Sequence, residues 1–291
     1  MDLSLSTVKS IGMNAFFNCT NLKNLDLGYD LESIGTYAFY GAASVTELVI
    51  PDTVTEIGDR AFAEMSGLTK LTIGAGVETI PECAFWKCTS LEEIMIPSTV
   101  KEIKSHAFYK NSAVKKVLFV QDGEGNGVET IGNSAFSGLE LITELNLPSS
   151  LKHVGDYAFM GANGVTSLFL SKNLEYVGKH AFYGCKGMTV YTDATSGEVG
   201  WNERWNSSYR PTVWGVQLSE DGTYVESIRI QEDLIVNINA AGGFVAPLRK
   251  GYTFGGWKGT VDGETKTYQA NELTLAPIGT VLRAIWTPNA E

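Results

Sequence analysis

Residues 57–62 read IGDRAF, and the phrase returns as IGMNAF from Ile11, IGTYAF from Ile34 and IPECAF from Ile80. Aligning the Ala-Phe pairs places Phe at 16, 39, 62, 85, 108, 136, 159 and 182, every interval being 23 residues except the 28 between Phe108 and Phe136. A fixed period of this size marks a solenoid, because one coil can bury its apolar side only against neighbouring coils. The apolar frame keeps the same period: Leu68, Leu71, Ile73, Val77 and Ile80 recur as Val45, Leu48, Ile50, Val54 and Ile57, and as Leu91, Ile94, Ile96, Val100 and Ile103. The Leu-x-Ile core alternates with period two and predicts a short strand, stacked copies giving a parallel sheet. The Ile-Gly-x-x-Ala-Phe return is too short for a long helix and predicts a turn or a brief helical piece. Each repeat Phe belongs to one internal column. Pro81 and Lys104 stand where other coils have Gly after Ile; proline fixes φ near −65°, so close packing, not positive φ, explains the glycine.

The composition is that of a folded chain: 291 residues, 44% apolar and 19% charged, enough for a sizeable core in one or two domains. The formal charge of −11 and the lack of a Lys/Arg cluster exclude a phosphate-binding surface, so no nucleic-acid partner is expected. No stretch approaches the roughly 18 apolar residues of a membrane span, so no membrane insertion is expected in this segment. Met1-Asp2-Leu3-Ser4 is no signal peptide. The chain starts inside a repeat, as though cut from something longer, and a removed export signal is compatible with that.

The frame L-x-x-L-x-I-P-x-x-V-x-x-I-G-x-x-A-F, seen best in the second and fourth coils, resembles the BspA-like leucine-rich repeat of bacterial surface proteins over residues 3–190. The expected fold is a leucine-rich repeat solenoid of about eight 23-residue coils, a parallel β-sheet with short turn or helical returns, followed by a small β-rich module. We divide the chain into the solenoid at 1–190, a Trp-rich cap at 191–216 and the β-rich module at 217–291. The cap holds three tryptophans and no repeat, as a segment closing the stack requires, and resembles the Trp-rich ending that follows BspA-like arrays. In the last region, alternating segments at Tyr224 to Ile230, Leu234 to Ile238 and Val281 to Trp286 predict strands. GYTFGGWKG at 251–259 with LRAIW at 282–286 resembles the Listeria–Bacteroides repeat of exported, wall-associated proteins. Tyr252, Phe254, Trp257 and Trp286 are either a ligand platform or, with more weight, the core of a module too small to do without them.

The repetition leaves little room for chemistry. Cys19, Cys88 and Cys185 all fall three residues after the repeat Phe. With coils about 4.8 Å apart, Cys19 and Cys88 lie some 14 Å apart, beyond the roughly 7 Å reach of a disulfide. They read as small buried residues, with Cys83 a fourth free thiol. Cys83 and His106 share a repeat position in adjacent coils, the geometry of a Cys–His nucleophile. That position otherwise holds Asn14, Tyr37, Arg60, Ser134, Tyr157 and His180, a mixed column better read as tolerant surface. The fifth-coil insertion, Asp122-Gly-Glu124-Gly-Asn126-Gly127, partly mimics a calcium loop, but Asn133 stands where the twelfth-position Glu belongs. A Gly-rich bulge is the plainer account, and the 122–127 loop remains a contact candidate. No cofactor, metal or catalytic set is expected.

The strand faces are more informative. The residue before each strand runs Asn24, Glu47, Lys70, Glu93, Lys116, Glu144, Ser167, a charge ladder between coils. The outward residue between the two apolar positions runs Asp26, Val49, Thr72, Met95, Leu118, Asn146, Phe169. Four apolar side chains in an outward column mark an interaction surface, so Val49, Thr72, Met95, Leu118, Asn146 and Phe169 are the candidate partner-binding residues. Phe17, Tyr40, Trp86, Tyr109 and Tyr183 form a second column, read as packing between coils. The resemblance implies a non-enzymatic, secreted or cell-surface bacterial adhesion protein whose partner is a host or bacterial surface protein or glycan. The alternative is a purely structural stalk or self-assembly unit with the strand face buried between copies.

Overall fold

The computed structural model describes residues 7–195, 199–208, 210–220, 222, 224–230 and 245–290. The expected strand from Leu234 to Ile238 lies outside the described residues. Two compact units emerge, one of Met1–Gly164, Asn173–Cys185 and Trp201–Ser207, the other of Val165–Lys172, Lys186–Gly200 and Ser208–Glu291. The first is the leucine-rich repeat solenoid. The second carries a small antiparallel sheet.

The return segment is a stack of turns, with no helical piece. In the first coil Ala15 N–H donates to Gly12 O, Phe17 to Asn14 and Cys19 to Phe16, each closing a four-residue turn. The alternate donors leave the coil: Asn14, Phe16 and Asn18 N–H reach the carbonyls of Thr36, Ala38 and Tyr40 in the next one. This arrangement repeats with three N–H···O bonds, 2.7–3.1 Å long, at every junction from the first coil to the eighth. It needs two left-handed residues per coil. Asn14, Tyr37, Arg60, Cys83, His106, Ser134, Tyr157 and His180 have φ of 53–59°, and four residues on stand Asn18, Gly41, Glu64, Lys87, Lys110, Gly138, Gly161 and Gly184, also at positive φ. The mixed column is therefore a backbone constraint and not tolerant surface. None of the sixteen is β-branched, the residue class for which positive φ is a true outlier.

Inside the turns the repeat phenylalanines form one column. Successive rings lie 5.1–5.7 Å apart and within 3–8° of parallel from Phe16 to Phe182. That is longer than direct ring contact, so the rings are offset, as their quadrupoles prefer. Trp205 meets Phe182 edge-on at 6.4 Å and 89°, and Arg204 O accepts the His180 N–H, so the tryptophan-bearing segment adds an irregular return at this end. The glycine after Ile is a packing requirement, as expected. A Cβ on Gly58 would lie 2.2 Å from Thr36 N and one on Gly178 2.5 Å from Asp156 N, whereas one on Gly12 would meet nothing within 4 Å.

Two columns of parallel strands flank this spine. The longer strands, Glu47–Val49, Lys70–Thr72, Glu93–Ile96, Lys116–Phe119 and Glu144–Leu145, are those the Leu-x-Ile pattern predicts. A second column of two-residue strands, such as Ser33–Ile34 and Thr130–Ile131, runs just before the glycine. Neither column is continuous, and one break in each coincides with a proline. Val120 N–H donates to Ile96 O across the fourth and fifth coils; the equivalent residues in the second, fourth and sixth coils are Pro51, Pro97 and Pro148, which have no N–H, although Glu144–Leu145 before Pro148 still pairs with Lys116–Phe119. Glu47–Val49 pairs with Lys70–Thr72, and Glu93–Ile96 with Lys116–Phe119, but Lys70–Thr72 and Glu93–Ile96 are not paired. In the short-strand column Gly58 N–H reaches Ile34 O and Lys104 N–H reaches Ile80 O. Pro81 stands between them, and that column divides between Glu56–Ile57 and Thr79–Ile80.

Ion pairs follow the coil period. Of the expected charge ladder, Glu47–Lys70 is the one rung that closes as an ion pair among the described residues, at 2.5 Å; Lys9–Glu32, Lys115–Glu92 and Lys152–Glu129 are ion pairs one coil apart at other repeat positions. No disulfide joins the cysteines. Cys88 and Cys185 are buried, each Sγ 3.3 Å from a phenylalanine carbonyl, Phe62 and Phe159. Burial pushes the Cys88 thiol up to about 12. Cys19 departs from the expected burial: in the outermost described coil it is exposed.

In the second unit, strands Gln217–Leu218, Val225–Arg229, Val281–Pro288, Tyr252–Val261 and Glu264–Tyr268 form one antiparallel sheet in that spatial order. The register shifts between Phe254 and Gly256, where Gly256 has φ of 118°. This bulge lets Phe254 and Trp257, three residues apart, both serve the core of Tyr191, Ile228, Leu273 and Leu282.

Truncating Phe85, fully buried, to Ala is expected to cost about 3–5 kcal/mol in urea unfolding. Gly58→Ala should destabilise clearly more than Gly12→Ala, and equal losses would refute the close-packing account. Under a thiol reagent the native protein should modify Cys19 rapidly and Cys88 and Cys185 only on unfolding; fast labelling of Cys88 would contradict its burial.

Candidate functional site

Strand alternation decides which side chains reach the surface. Leu48 and Ile50 are buried and Val49 between them is 49% exposed; Ile94 and Ile96 are buried and Met95 between them is 51% exposed. Thr72 and Asn146 are exposed at the same position and Leu118 is half-buried. Asn146 Nδ2 donates to Glu144 Oε1 at 3.1 Å. Five of the six candidate residues thus share the strand face of the solenoid. Phe169 belongs to the second unit, where it is partly buried and packs against that unit's core.

The face is not flat. Where Pro51 interrupts the ladder, a trough of about 790 Å³ opens, lined by Asp26, Leu27, Val49, Asp52 and Thr72 among others. Where Pro97 interrupts it, a second of about 580 Å³ lies between Leu71, Thr72 and Ile73 on one side and Glu93, Met95 and Pro97 on the other. Core exposure rises there: Leu71 and Ile73 are 7% and 8% exposed, against 0–1% for Leu48, Ile50, Ile94 and Ile96. Gly74 and Gly76 let the third coil sit close on the second, since a Cβ there would fall 2.5 Å from Pro51 O and 2.2 Å from Asp52 O. At the troughs Lys70 is held by Glu47 and Glu92 by Lys115, while Glu93 makes no ion pair among the described residues.

The Cys83 and His106 geometry does not support a nucleophile. Cys83 is buried, and burial pushes its thiol up, only partly opposed by the Arg60 charge. A nucleophilic cysteine needs the opposite shift. His106 lies edge-on to Tyr109 at 5.3 Å, and no hydrogen bond joins it to Cys83 among the described residues.

The 122–127 loop satisfies itself. Asp122 accepts the Asn126 side chain at Oδ2 (2.9 Å) and the Asn126 and Glu124 N–H at Oδ1 (2.8 and 3.0 Å), which holds its carboxyl below the usual range, the Asn126 side chain contributing most. Gln121 Nε2 ties the loop to Ser149 Oγ at 2.8 Å. Among the described residues no group of three or more His, Cys, Asp or Glu is placed to hold a metal ion.

The other aromatics are engaged. Phe17 stacks on Tyr40 at 5.1 Å and 12°, so these rings pack against each other between coils. Lys87 lies 4.1 Å over Trp86 and Lys110 5.4 Å over Tyr109. In the second unit Trp257 is core, while Tyr224 and Tyr252 sandwich Arg249 at 3.8 and 3.7 Å, with Trp286 at 5.9 Å. The supposed platform is filled by the chain's own guanidinium.

The troughs are what residue-by-residue reading of the strand face missed, and their signal was present as Pro51 and Pro97.

The model of the BspA type leucine rich repeat region matches residues 3–122 and 124–197 in six copies. No curated protein matches. Among solved structures, a leucine-rich repeat protein of Bacteroides ovatus is 29% identical with a TM-score of 0.57, covering 64% of this chain and 47% of its own. A leucine rich cell surface protein of Faecalibacterium prausnitzii is 21% identical with a TM-score of 0.45, covering 66% and 59%. The chain therefore spans about half the length of these relatives. Repeat frame, coil geometry and family match fall on the same residues, and the chain belongs to the BspA-type leucine-rich repeat family.

Proposed function

We propose that this is a non-enzymatic binding or adhesion protein of a bacterial surface or its surroundings, which contacts a protein or glycan partner through the strand face. The observation that carries it is the exposure of Val49 and Met95 beside two troughs in a sheet otherwise built to hide its apolar side chains. Contiguous exposed apolar area of this kind marks interaction sites. The buried Cys83 thiol, pushed up, and the self-satisfied Asp122 loop add no rival chemistry. Family membership and the surface description of the Faecalibacterium relative favour an extracellular setting, and no helix among the described residues is long and apolar enough to cross a membrane. The site is narrower than the original column: Val49, Thr72, Met95, Leu118 and Asn146, without Phe169. We assign the 217–291 region, with its resemblance to the Listeria–Bacteroides repeat, the role of spacer or attachment piece.

A variant with Glu at Val49, Met95 and Leu118 should keep its circular dichroism spectrum and lose binding in a screen of host matrix proteins and a glycan array. Binding retained by the variant would remove the strand face from consideration. If the triple variant instead converts a dimer to a monomer while partner binding persists, the self-assembly role replaces the adhesive one.

A further inference from the structure

The two troughs are copies of one feature. In each, a proline of one coil withholds the N–H that the preceding coil's carbonyl would take: Pro51 faces Leu27, and Pro97 faces Ile73, while Pro148 holds that position in the sixth coil, where the strands stay paired. The intact form of that bond is Val120 N–H to Ile96 O at 2.9 Å. Each trough thus combines an apolar floor with a backbone acceptor that its neighbouring coil does not satisfy. The two lie two coils apart, about 10 Å along the stack. Each has surplus negative charge at its mouth. Asp26 and Asp52 outnumber Lys23 at the first, and at the second Lys70 and Glu92 are already paired, leaving Glu93.

Resting on the strand-face reading above, we propose that the face takes a basic polypeptide segment in polyproline II conformation, laid along the solenoid axis with apolar side chains three residues apart in the two troughs. Polyproline II has three residues per turn and rises about 3.1 Å per residue, so anchors at i and i+3 point the same way about 9.3 Å apart. That matches two coils. An extended strand turns i and i+3 to opposite faces. An α-helix spaces i and i+7 by about 10.5 Å but commits its N–H groups internally, leaving none for the Leu27 and Ile73 carbonyls. The polyproline II backbone has no internal hydrogen bonds, and a non-proline anchor keeps its N–H for those acceptors. Lysine or arginine beside the anchors complements Asp26, Asp52 and Glu93.

The test uses the whole chain and four fluorescein-labelled synthetic peptides read by fluorescence anisotropy at 0.15 M salt. They are four copies of Lys-Leu-Pro, of Glu-Leu-Pro and of Lys-Ser-Pro, and a helix-forming lysine–leucine–alanine peptide of equal charge with leucines seven apart. The Lys-Leu-Pro peptide is expected to bind at least tenfold more tightly than the other three. Met95→Lys should weaken it at least tenfold. Pro97→Ala, which returns an N–H to Ile73 and alters no exposed charge, should weaken it severalfold. Equal binding of Lys-Leu-Pro and Lys-Ser-Pro peptides, tighter binding of the helical peptide, no binding at millimolar concentration, or indifference to both variants would each overturn the proposal. If the Lys-Leu-Pro peptide fails while a matrix protein or glycan is still lost in the Val49, Met95 and Leu118 variant, the strand-face reading stands and this inference alone falls.

Discussion

Everything in the solenoid depends on the turn stack, where alternate N–H groups point along the axis and the repeat phenylalanines fill the space behind them. Pointing every second N–H out of the coil requires the chain to enter the left-handed region twice in each return. Away from glycine such a residue costs on the order of 1–3 kcal/mol. Three coil-to-coil hydrogen bonds and one buried ring per junction offset that cost. Residues such as Tyr37 or His180 are therefore held at positive φ by their neighbours. The spine is also the one column that no proline enters. Pro51, Pro81, Pro97 and Pro148 all fall on the strand columns, where losing a bond leaves the stack standing.

That division of labour ties stability to function. A ladder paired along its whole length would present a regular surface with its apolar residues sealed beneath. Troughs open beside Pro51 and Pro97, where Leu71 and Ile73 begin to show, and close packing at Gly74 and Gly76 holds the third coil near the second. The exposed Val49 and Met95 then stand beside openings. The surface that can bind arises from local failures of the same hydrogen bonding that builds the fold.

The second unit shows the same dependence of placement on backbone detail. GYTFGGW reads as an aromatic-rich strand, but strict alternation puts Phe254 and Trp257 on opposite faces. The bulge at Gly255-Gly256 brings both to the core. Tyr224, Tyr252 and Trp286 offer a cation site to any partner until Arg249 is seen between them. Phe169 holds the same repeat position as the binding column and yet packs against this core, a contact that the repeat alone does not reveal.

By itself the sequence determined the period, the coil, the Phe column, the buried strand positions and the close packing behind most glycines after Ile. All of these follow from which side chains recur every 23 residues, and recurrence is a property of the chain. Pro51, Pro81 and Pro97 were equally visible there, since a missing N–H needs no structure to be noticed, but which carbonyl each leaves waiting depends on which N–H groups point along the axis. That direction, the left-handed column beneath a seemingly arbitrary mixture of residues, the second strand column and the exposure of Cys19 were decided only by tertiary structure. They depend on how one coil meets the next, and no single coil contains that information.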